Sequence, residues 1–136
     1  MISALLNSGK YVIEPGLIEM HQSSLEWLSS TELWKQEVDF FQKLLDNYAA
    51  KGILPKDKKN VSHFQNLVTY YGGELIGALR KKIKNHEHNL AHMLKERQDE
   101  KEYYEVHNQL QEELGAFIKT YHSFKSEFFT FIEKKL

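Results

Sequence analysis

The sequence predicts an all-α fold, an elongated antiparallel three-helix bundle, and three observations carry that reading. Apolar residues recur in steps of three and four over most of the 136 residues. Only two prolines occur, Pro15 and Pro55, and each sits among other helix breakers, in EPG at 14–16 and in KGILPKDKKN at 51–60. A polar run, KERQDEKE at 95–102, interrupts the apolar pattern and marks a second hairpin. Three helices follow, from about Leu17 to Ala50, Lys59 to Gln98 and Glu100 to Lys135. At ~1.5 Å per residue, a helix of ~35 residues runs ~50 Å, so the predicted molecule is a rod. The length suits one domain over residues 1–136, with residues 1–16 as a leader that packs on the bundle or on a partner.

In the first helix the series Met20, Trp27, Trp34, Phe41 and Tyr48 interleaves with Leu17, Ser24, Thr31, Val38 and Leu45, a heptad stripe with one face to bury. In the third, Tyr103, His107, Leu110, Leu114, Phe117, Tyr121, Phe124, Phe128 and Phe131 alternate steps of four and three without a miss. The second helix carries two stripes. Val61, Phe64, Val68, Tyr71 and Leu75 form one, and Ile76, Leu79, Ile83, His86, Leu90, Met93 and Arg97 form the other, offset by one residue.

The slip falls on YGGELIGAL, where Gly72, Gly73 and Gly77 each cost roughly 1 kcal/mol against Ala in a helix interior. Two readings account for them. Either the helix breaks at Gly72-Gly73 and the fold has four helical segments, or the glycines form a notch in a continuous helix. A turn centred near residues 54–58 brings residues whose numbers sum to roughly 111 level with each other. Trp34 is then level with Gly77, and a core notch of Trp34, Gly73 and Gly77 is the preferred expectation.

The stretch SLEWLSSTELW at 24–34 is similar to the first helix of a spectrin-type repeat, in which a core tryptophan lies in an acidic, leucine-rich context. That resemblance implies a three-helix layout. No second copy of such a unit follows in this chain, so it implies no repeat array.

Composition narrows the function classes. With 18 basic against 19 acidic residues the net charge is -1, which argues against a nucleic-acid partner. There is no cysteine, so a disulfide scaffold, a thiolate zinc site and a cysteine nucleophile are excluded, and a cytoplasmic location is expected. No run approaches the ~18 apolar residues of a spanning helix, so no membrane partner is expected. Neither a Gly-rich phosphate loop nor a nucleophile elbow is present, and the chain is read as non-enzymatic, without a cofactor.

The stretch KNHEHNLAHML at 84–94 raises the question of a metal site. His88 and His92 are one turn apart and could pinch a divalent ion, so a metal-binding bundle using these surface histidines is the alternative function. On a wheel of ~100° per residue centred on Leu90, however, both fall ~160° away, on the outer face, while His86 falls ~40° from the centre. Hemerythrin-like and ferritin-like bundles draw His and carboxylate ligands from several helices, the latter through Glu-x-x-His pairs. This chain has no Glu-x-x-His spacing. His86 and His107 occupy stripe positions, where each is read as a partly buried histidine or as part of a pH-sensitive core. The cluster RKKIK at 80–84 is read as a solvated face.

The end of the third helix, YHSFKSEFFTFIEKKL, has more apolar residues than one narrow stripe can hide. Phe128, Phe129, Phe131 and Ile132 are therefore expected to form an interface, joining two copies of the chain or binding another protein, unless the leader covers them. The functional expectation is a binding or scaffolding module that self-associates.

Overall fold

The computed structural model describes residues 15–96 and 100–136. It is an all-α three-helix bundle, and among the described residues there is no strand. Helix α1 spans Pro15–Lys51, and Pro15 suits a first helical position, where its missing N–H would have had no partner. The helix stops where Gly52 takes φ 92°, a left-handed conformation that only glycine adopts without strain. A 3-10 turn at Pro55–Asp57 then leads into α2, Lys58–Tyr70.

The second predicted helix is continuous in direction but not in winding. Between α2 and α3 (Ile76–Glu96) lies a π turn, Tyr71–Leu75, sealed by the Ile76 N–H donating to the Tyr71 carbonyl five residues back. A π turn fits one extra residue into a helix, which is the offset between the two apolar stripes. Tyr71 ends the first stripe facing inward and Ile76 begins the second facing inward. The helix therefore neither breaks at Gly72-Gly73 nor passes through YGGEL as a regular α-helix. Helix α4, Lys101–Ile132, follows the second hairpin and ends in a 3-10 turn at Glu133–Lys135.

Side-chain pairs fix the arrangement. Gln42 with Gln65, Thr31 with Arg80 and His21 with Glu87 place α1 antiparallel to the α2–α3 unit. Lys82 with Glu113 and His86 with His107 make α4 antiparallel to the same unit. Helix α4 thus runs parallel to α1, and Glu37 pairs with Lys125 across that seam at 3.3 Å. The centre is aromatic: Trp34 packs on Phe117 and Tyr121, Phe41 on Phe124 and Phe128, and Tyr71 stacks on Phe124. Offset and edge-on rings of this kind add to the burial energy. At the base Tyr48 donates to Asp57 at 2.6 Å, and Lys135 reaches the same carboxylate at 2.9 Å, tying the last turn of the chain to the first hairpin.

The glycine expectation needs correcting. Trp34 is buried, but Gly73 and Gly77 are exposed, and a Cβ on either would meet nothing within 4 Å. Gly77 follows the inward-facing Ile76 by one residue, a turn of ~100°, so it is level with Trp34 and points elsewhere. The close approach is at Gly72, where a Cβ would lie 2.8 Å from Cγ1 of Val38.

Candidate functional site

Two regions stand out from the packing described so far: a buried polar layer near the α3–α4 hairpin and an exposed apolar stripe along the α1–α4 seam.

The layer is built one heptad position at a time. On α1, His21 and Ser24 continue the inward stripe toward the N-terminal end, and both are buried. On α3, His86 faces in and Glu87 sits beside it; on α4, Tyr103 and His107 face in. The His21 Nδ1–H donates to Glu87 Oε2 at 2.6 Å. His86 Nε2 and His107 Nδ1 share a hydrogen bond of 3.0 Å. Tyr103 lies flat on His86, with 4.2 Å between centroids and 7° between planes, and Trp27 stacks on His107 at 4.7 Å. Imidazoles packed this way are hard to charge, because the low-polarity surroundings penalise the cation. Burial, with a smaller contribution from His107, pushes His86 down to about 4, and burial also lowers His107. Burial raises Glu87 despite the opposing pull of His21, and raises the Tyr103 hydroxyl. Among the described residues His86 Nδ1, Glu87 Oε1 and Tyr103 OH have no hydrogen-bond partner.

The sequence placed His86 and His107 on the buried stripe, and that is where they lie. It did not bring out His21 or Glu87. The available signal was the spacing Leu17, His21, Ser24, in steps of four and three, which puts His21 rather than Met20 between two stripe positions.

His88 and His92 are both exposed. Among the described residues no group of three or more His, Asp or Glu side chains is arranged to hold a metal ion. The basic cluster is partly neutralised: Arg80 pairs with Glu32 at 3.1 Å and Lys82 with Glu113 at 2.5 Å. No helix among the described residues is long and apolar enough to cross a membrane.

The expected interface at the end of α4 is divided between core and surface. Phe128 and Ile132 are buried, Phe131 is half-buried against Phe64 and Tyr48, and only Phe129 stands out, 42 % exposed. The reason is that α4 touches both other helices, so its buried arc is wider than a single seam. Phe129 belongs to a different surface. On α1, Leu33 and Phe40 lie four and three residues from Glu37, hence on its face; on α4, Ile118 and Phe129 lie seven and four residues from Lys125. The Glu37–Lys125 pair therefore sits between two apolar rows, with Leu33 and Phe40 exposed by 56 % and 53 %. The leader's first fourteen residues lie outside the described residues, so its expected cover over α4 does too.

No family model, curated protein or solved structure matches this chain.

Proposed function

We propose that the chain is a non-enzymatic interaction module that pairs with a second copy of itself through the α1–α4 face. The observation that supports this reading is the exposed row of Leu33, Phe40, Ile118 and Phe129, large apolar side chains on the two parallel helices. Scattered single hydrophobes on a surface need no explanation, but several on one face mark a contact. From Ile118 to Phe129 the row runs ~17 Å, and with a turn added at each end and the width of two helices it covers roughly 500 Å². A stable dimer hides about 1,200 Å² in total, or ~600 Å² per copy, so two such faces come close to what is needed. A two-fold axis is the commonest way for one patch to satisfy itself.

The test uses charge. Phe40→Glu and Phe129→Lys, separately, place an unpaired charge within the contact and should convert dimer to monomer on size-exclusion chromatography with unchanged helical circular dichroism. Tyr70→Lys, an exposed aromatic on α2, is the control and should leave the dimer intact. Dimers that survive both stripe substitutions would rule out this face.

A further inference from the structure

The apolar core is in two parts. The larger runs from Trp34 and Val38 through Tyr71 and Phe124 to Ile132; the smaller consists of Leu17, Leu90, Met93 and Tyr103 at the end of the bundle near the second hairpin. Between them lies the polar layer of His21, Ser24, His86, Glu87 and His107. The smaller cluster is joined to the larger mainly through this layer. Whatever destabilises the layer therefore acts on that end first.

We propose that the imidazole layer is an acid-sensitive latch: protonation of the His86–His107 pair releases the Leu17–Leu90–Tyr103 end of the bundle while the aromatic core stays folded.

The geometry supplies the mechanism. With both rings neutral, one ring N–H donates to the lone pair of the other, and the aromatic faces of Tyr103 and Trp27 hold the rings in place. A first proton creates a cation in a site where, among the described residues, no carboxylate is bonded to His86. A second sets N–H against N–H across the same 3.0 Å and removes the hydrogen bond.

The neighbouring charges offer little relief. From α1, Trp27 stacks on His107, and the titratable His21 is bonded to Glu87, the sequence neighbour of His86. On α3, one oxygen of Glu87 is thereby engaged, and Lys82 is paired with Glu113 of α4. Glu102 on α4 and His92 on α3 are exposed side chains at the rim of a cleft of about 190 Å³ that His86 also lines. A second cleft, about 260 Å³, reaches His86 beside Lys82 and Glu113. Both clefts end at the imidazole, which is buried in the closed end, so its protonation needs only a local opening.

For His86 alone, moving from 6.5 in an opened end to about 4 in the closed one makes opening roughly 30-fold more favourable at pH 5 than at pH 7.5. Amide hydrogen exchange of the full chain at these two pH values, corrected for intrinsic rates, reads this directly. Amides in 17–24, 86–93 and 103–107 should lose about 30-fold in protection or more, while those in 41–48, 64–68 and 121–128 keep theirs. In the double variant His86→Phe, His107→Phe, which keeps aromatic stacking and cannot titrate, the end should hold its protection at pH 5. Equal loss in both halves of the wild type, or the same loss in the double variant, would overturn the proposal. Should that variant fail to fold, histidine proton shifts in the wild type decide: His86 titrating below pH 5 supports the latch, and titration at or above 6.5 refutes it.

Discussion

Alanine placed at each of three glycines should give opposite signs within one short segment. At Gly72 the new methyl would sit 2.8 Å from Cγ1 of Val38, about 1 Å inside an ordinary carbon–carbon contact of ~3.5–4.0 Å. Val38 is itself buried, and its branched side chain has one strongly preferred rotamer in a helix, so it cannot swing aside freely. Overpacking of this sort costs about 1–3 kcal/mol, against a gain of about 1 kcal/mol in helix propensity. The net for Gly72→Ala is a loss of up to roughly 2 kcal/mol. At Gly73 and Gly77 the same methyl meets nothing within 4 Å, and only the propensity gain remains. Each should stabilise by about 0.4–1 kcal/mol. For a chain of this size 1 kcal/mol corresponds to roughly 3–5 °C in melting temperature, so a thermal melt by circular dichroism separates the two signs. If Gly72→Ala melts as high as Gly77→Ala, the close approach of α1 to the π turn is wrong.

Other consequences follow from the same packing. Trp34→Ala removes the ring that joins α1 to Phe117 and Tyr121 and should cost about 3–5 kcal/mol in urea unfolding. His86 is lowered in the folded state, so its contribution to stability is fully present above pH 6.5 and is lost as pH falls toward 4, by about 3 kcal/mol. Urea titrations from pH 7.5 to 4 should show that loss in the wild type and a smaller one in His86→Phe. The double variant His88→Ala, His92→Ala should lose no stability in urea unfolding, because both side chains lie on the outer face, and chelator should leave the wild-type midpoint unchanged; a wild-type shift on adding chelator that the double variant does not show would restore the metal reading.

Much of the fold was legible because helical periodicity and turn chemistry are local properties. The breakers at Gly52 and Pro55 end α1 where the spacing said, and pairs such as Val38 with Gly72 or His21 with Glu87 are level as the hairpin arithmetic required. The one-residue slip at YGGEL was legible too, though its meaning was not: an offset stripe is equally the mark of a break or of a π turn, and only tertiary packing on both stripes keeps the helix whole. What failed was azimuth. Level position placed Trp34 opposite Gly77, but which way a residue points depends on the winding of the intervening turn, and the contact went to Gly72. The same limit affected the apolar surface expected at the end of α4. Counting apolar residues at the end of α4 gave a surplus, yet Phe128 and Ile132 fit inside once α4 packs against two helices at once, leaving Phe129 to join Leu33 and Phe40, which a scan of α4 alone could not find. The buried His21–Glu87 pair was hidden for a related reason, since its partners are far apart in sequence and neither is unusual in its own helix.

The central claim, pairing of two copies through the α1–α4 face, is tested most directly by the mass of the untagged chain in solution. Sedimentation equilibrium over a micromolar concentration range should return twice the 16.1 kDa chain mass at the upper end, falling toward one chain on dilution. A mass of 16.1 kDa throughout that range would contradict it.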